Sequence, residues 1–266
     1  MEKASAIKLM LLTPVYILLC HDLAVLPHLY GHILTAWWLG FHSESFSLHV
    51  LRPDILSKLF LFDTRAHIGY QTMVAGGGYY NVKMAIVALS GPIIVNGALY
   101  LLSLWLLTFA IIRKNRYFFY FVLWFNFANL GVLFSYVPTR IFSSIGDMSY
   151  VVKGLAVSPW FLYVIFGYLM AFFIWQFFTN TLIQTYIILE MNEIWQKVAL
   201  MIVCTLILFA GYGTAGFLDS GDISRFLSVS SLILIPGWMI ACWPTRKWVK
   251  RQMALPRLSD GTHHRG

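Results

Sequence analysis

Two histidines, His28 and His32, stand four residues apart in a long apolar run. On a helix this spacing places them one turn apart and about 40° apart around the axis. Two imidazoles at i and i+4 can grip one metal ion, the logic of paired histidines in helical zinc sites. The same spacing also suits two histidines held by ordinary polar packing. His21 lies seven residues before His28 and projects from the same helical face. An imidazole inside hydrocarbon needs partners, so all three call for an explanation. Two carboxylates lie within reach in sequence. Asp22, two turns before Leu29, is displaced about 10 Å along the axis, and beside His21 it suits a local polar pair. Glu44 lies beyond the end of the run, in a polar connector.

The elements that must position these residues are membrane spans. Of 266 residues, 59% are apolar, 17% are aromatic and only 11% are charged. Soluble domains carry about 25% charge, so this composition excludes a water-soluble enzyme, a disordered chain and a disulfide scaffold. Several stretches approach or exceed the ~18 apolar residues that cross a bilayer core. The expected fold class is an all-α polytopic membrane protein with about six spans, at 6–41, 82–112, 117–137, 159–178, 198–217 and 226–243. Pro14 and Pro27 permit a kink or break in the first. A polar connector over 42–81 has strand-like alternation at 45–50 and 66–73, and Gly76-Gly77-Gly78 interrupts it. A loop over 138–158 carries Asp147. The first apolar run continues past the length of a signal h-region, with no small-residue cleavage site, and reads as a retained span.

Charge placement gives an orientation. The net charge is +8, and Arg246, Lys247, Lys250, Arg251, Arg257 and Arg265, against Asp260, leave +5 of it after the last span. Lys3 and Lys8 precede the first span, and Arg113, Lys114 and Arg116 follow the second. With six spans all three clusters fall on one side, which predicts that both termini are cytoplasmic. The tail reads as a membrane-flanking anchor. No interleaved aromatic and basic surface supports nucleic-acid binding. Cys20, Cys204 and Cys242 sit in apolar runs without a CxxC pair and read as buried thiols.

A second motif sharpens the first. The segment Pro27-His28-Leu29-Tyr30-Gly31-His32 resembles the H-E-x-G-H element in the first span of the site-2 protease family of intramembrane zinc metalloproteases. Ala88-Leu89-Ser90-Gly91-Pro92-Ile93-Ile94-Val95-Asn96 is similar to that family's A-x-x-G-P-x-x-N element. Asn126, Asn129, Pro138 and Gly146-Asp147 follow in the order of its third. The resemblance covers about residues 10–155 and implies a three-span core. It implies that His28 and His32 are imidazole ligands, that Asp147 is the carboxylate ligand of one Zn2+, and that Asn96 orients substrate or backbone near the site. It implies a partner as well, a membrane-embedded protein client. Three protein ligands and one open position would make a catalytic zinc site.

Beyond the extra residue between Pro92 and Asn96, the chain departs from the family pattern twice. The third element reads Gly146-Asp147-Met148 rather than Asp-Gly. At the position of the general-base glutamate stands Leu29, which can neither accept nor deliver a proton. Hydrolysis is therefore expected to be impaired while metal binding survives, as in a degenerate protease. The expected division is a metalloprotease-like core over 1–158, three C-terminal spans over 159–245 and a basic tail over 246–266. The alternative is a small-molecule or proton-coupled transporter whose histidines handle protons. Of the other histidines, His42, His49 and His67 read as solvated connector residues, and His263 and His264 stand too far from a span to be presumed ligands. Asn126 and Asn129 read as interhelical hydrogen-bond contacts, and Gly91-Pro92 reads as a site of close helix packing.

Overall fold

The computed structural model describes residues 2–41, 81–219 and 221–254. The chain is an all-α polytopic membrane protein, and among the described residues no strand occurs. Among the described residues, six helices are long and apolar enough to cross a membrane. We label the helices α1 (Glu2–Trp38), α2 (Val82–Leu106), α3 (Arg116–Tyr136), α4 (Asp147–Leu155), α5 (Pro159–Ile188), α6 (Ile194–Leu218), α7 (Asp222–Ala241) and α8 (Lys247–Ala254). All but α4 and α8 are spans. The expected strand-like connector lies outside the described residues except for Asn81, which caps α2 by accepting from Met84 N at 3.0 Å.

Local chemistry sets the boundaries. The Asn115 side chain caps α3, accepting from Tyr117 N and Phe118 N at 3.1 Å each. Ser158 caps α5, with Pro159 at the first helical position, where its missing N–H costs nothing. α1 runs without a break through Pro14 and Pro27, where a kink or break was permitted. Polar groups on neighbouring helices can satisfy the backbone that a proline frees in a membrane helix. Here Asn96 Nδ2, on α2, donates to the Ala24 carbonyl at 2.9 Å, next to the loosened ladder at Pro27.

One expectation is corrected. The loop over 138–158 contains α4, because Met148, Val151 and Gly154 form a buried face. That face packs on the start of α2 so closely that a Cβ on Gly154 would come within 2.6 Å of the Asn81 carbonyl oxygen. The basic tail begins with a helix, α8, whose Val249 is buried.

α3 is the axis of the molecule and the most deeply enclosed span. α1 and α2 pack against it, and α5 and the end of α6 flank it. Asn126, on α3, donates to the Tyr100 carbonyl at 3.0 Å and to Ser103 Oγ at 2.9 Å, tying α3 to α2 as an interhelical contact. Cys20, Cys204 and Cys242 are buried free thiols.

Candidate metal centre

α1 crosses α2 where Gly31 meets Ser90–Val95. Pro92 lacks an N–H, so the α-helical ladder is interrupted and the chain widens into a π turn over Ser90–Val95. In the turn before it the Val87 carbonyl accepts from Ser90 Oγ at 2.6 Å. The same oxygen lies 2.6 Å from His32 Nδ1. The His32 imidazole lies directly on Gly91, where an added Cβ would overlap Nε2. Gly91 therefore does more than allow two helices to approach, because it leaves room for the imidazole itself.

The tautomers follow from the partners. A carbonyl only accepts, so neutral His32 carries its proton on Nδ1 and a lone pair on Nε2. His28 is fixed by a longer chain. Asn129 Nδ2 donates to the Phe125 carbonyl at 2.8 Å, which leaves its Oδ1 to accept from Asn96 Nδ2 at 2.9 Å. Asn96 Nδ2 also donates to the Ala24 carbonyl. Its Oδ1 must then be the atom facing His28 Nδ1 at 2.7 Å, and it accepts. His28 also bears a lone pair on Nε2.

These two lone-pair nitrogens face each other at 3.1 Å. Asp147 Oδ2 completes a triangle, 3.4 Å from His32 Nε2 and 3.7 Å from His28 Nε2. His28, His32 and Asp147 are 1%, 0% and 5% exposed, so bulk water does not reach them. Asp147 is the first residue of α4, and the helix N-terminus favours its negative charge. Burial alone would push the carboxyl up. A positive charge shared with His32 and His28, whether a proton or a cation held between them, outweighs it and holds the carboxyl below the usual carboxylate range.

Two imidazole nitrogens and a carboxylate oxygen converging in a buried space make a group that could hold a cation. The spacing also fits a small, four-coordinate ion. Four-coordinate bonds of about 2.0–2.1 Å imply donor separations of about 3.3 Å along a tetrahedron's edge. The observed 3.1, 3.4 and 3.7 Å bracket that value. His28, His32 and Asp147 form a group that could hold a metal ion.

The other sequence candidates go elsewhere. Asn96, expected to orient substrate, is fully buried and holds His28 by its Nδ1 side. His21 lies on the same helix but its Nδ1 meets Tyr212 Oη at 2.8 Å, so it stands outside the triad. Asp22, expected to pair with His21, is exposed and does not belong to the triad. Leu29 is buried at 4% exposure. Glu44, His42, His49, His67, His263 and His264 lie outside the described residues. Sequence reasoning missed Tyr136, whose hydroxyl is 3.3 Å from His28 Nε2. Its one sequence signal is that it stands two residues before Pro138, within the stretch that leads to Asp147. The Val87 carbonyl was also missed, since no residue type announces a backbone acceptor.

Family models, curated proteins and solved structures give no match to this chain.

Proposed function

We propose that this protein is a membrane-embedded zinc protein of site-2 protease-like design that binds membrane-embedded protein clients without cutting them. The observation that carries the reading is the pair of histidine Nε2 atoms, 3.1 Å apart, facing a buried carboxylate. Two nitrogens and one carboxylate oxygen suit zinc among the common cations, whereas magnesium and calcium take oxygen donors. Zinc, when bound in a site with an open position, supplies Lewis acidity toward a carbonyl and lowers the pKa of water.

The chain's own residues supply the binding and lack the base. His28 and His32 hold the ion through nitrogens whose protons are kept on the far side by Asn96 and Val87. Asp147 balances charge. Leu29 offers no atom that can take a proton at the place where the related glutamate works. General acid–base help is worth about 10²–10⁴ in rate, and its loss favours retention of a client over its hydrolysis. The positive-inside pattern supports cytoplasmic termini.

The test combines metal analysis with a cleavage assay. Purified protein should carry about one equivalent of zinc, and His28→Ala with His32→Ala should reduce this below about a tenth. A model transmembrane peptide should be retained by the native protein and remain intact. Zinc below a tenth of an equivalent in the native protein, with metal binding unchanged in the double variant, would defeat the reading and favour a proton-handling transporter. Cleavage that depends on both histidines would defeat the non-cutting part alone.

A further inference from the structure

Tyr136 ends α3 and stands at the centre's edge with no role assigned to it so far. It is 3% exposed. Its ring lies along the His28 imidazole, with centroids 5.2 Å apart and 29° between the planes. Its hydroxyl is 3.3 Å from His28 Nε2, the nitrogen that the Asn96 contact leaves without a proton. The O–H therefore donates to the very atom that would hold the ion. The separation equals the donor spacing of about 3.3 Å expected along one edge of a zinc tetrahedron. Beyond the ring, the Arg140 guanidinium carbon lies 5.5 Å from the Tyr136 centroid. A cation over the ring stabilises negative charge in it. Arg140 is itself fixed by Asp219 at 3.4 Å.

We propose that Tyr136 is the fourth protein donor of the metal centre, completing a set of two imidazole nitrogens, one carboxylate oxygen and one phenol oxygen. As the oxygen–metal bond forms, the phenol O–H bond breaks and its proton passes to solvent, as for any ligand that is protonated before the metal arrives. The proposal rests on the metal reading above and alters its consequence. Four protein donors make a closed site of the structural kind, and a closed site leaves no position for a reacting group. The chain would then have two separate obstacles to hydrolysis, the leucine at position 29 and the tyrosine at position 136.

Copper(II) is a suitable probe because a phenolate bound to it gives a charge-transfer band in the visible, a signature independent of activity. Full-length protein, stripped by a chelator and reloaded with one equivalent of Cu2+, should show this band. Tyr136→Phe should bind one equivalent at least about tenfold more weakly and lack the band. His28→Ala with His32→Ala should lose both the band and the copper held at this centre. A histidine-dependent copper site without the band in the native protein, or a band that survives in Tyr136→Phe, would overturn the assignment of Tyr136 and leave the metal reading standing. Absence of any histidine-dependent copper would overturn both.

Discussion

At the residue scale the centre depends on which ring nitrogen carries each proton. His28 presents a lone pair on Nε2 because Asn96 Oδ1 holds its Nδ1 proton, and Asn96 is oriented in turn by Ala24 and Asn129. Groups of this kind typically contribute 10–100-fold to metal affinity. Asn96→Ala should therefore weaken zinc binding by about that factor while the helix content remains native, as measured by competition with a chromophoric chelator and by circular dichroism. Unchanged affinity would mean that the imidazole needs no orientation. The proposed tyrosine donor makes a second prediction at this scale. Leu29→Glu alone should stay silent toward a model membrane peptide. Combined with Tyr136→Phe it should gain zinc-dependent cleavage, of the order of the 10²–10⁴ attributable to general acid–base help. The His28–His32 pair and Asp147 were legible in the sequence, because spacing on a helix and the order of the later elements carry that information. Asn96 was legible as a site residue but not in its role, since the Ala24 carbonyl it meets is 72 residues away.

At the element scale the π turn in α2 and the short helix α4 bring the donors together. The sequence showed Gly91-Pro92 and foresaw close packing there. It did not show that the contact partner is the His32 imidazole, because that depends on where α1 crosses α2. Gly91→Ala puts a methyl group into the space of Nε2. The strain of such overpacking is about 1–3 kcal/mol, and a surface imidazole would escape it by rotating. His32 has little room to do so, being fully buried with its Nδ1 on the Val87 carbonyl. The expected outcome is lost zinc with a modestly lowered melting temperature, read by metal analysis beside thermal unfolding. Native zinc content in this variant would show that Gly91 serves helix packing only. α4 escaped the sequence reading because nine residues with mixed polarity resemble a loop until the start of α2 is there to cover Met148, Val151 and Gly154.

On the scale of the whole molecule, the six spans and the all-α class were legible from apolar length alone, which the bilayer dictates. How the last three spans meet the first three was not, since a lipid-facing and a protein-facing apolar residue look alike in sequence. One buried ion pair contributes to that join. Arg140, in the segment between α3 and α4, meets Asp219, just after α6, at 3.4 Å, and the two are 6% and 2% exposed. Removing one member of such a pair leaves an uncompensated buried charge, which costs about 3–5 kcal/mol. Arg140→Ala should lower the thermal stability of the detergent-solubilised protein accordingly, and Arg140→Met with Asp219→Leu should restore most of it. Equal stability of Arg140→Ala and the native protein would show that the pair does not join the two halves.

X-ray absorption at the zinc edge of the purified protein tests the centre most directly. The account predicts a first shell of nitrogen and oxygen donors at about 2.0–2.1 Å with the outer-shell pattern of two imidazoles, reduced to one in His32→Ala. A protein that carries no zinc signal above its buffer, or a spectrum that the removal of His28 and His32 leaves unchanged, would contradict it.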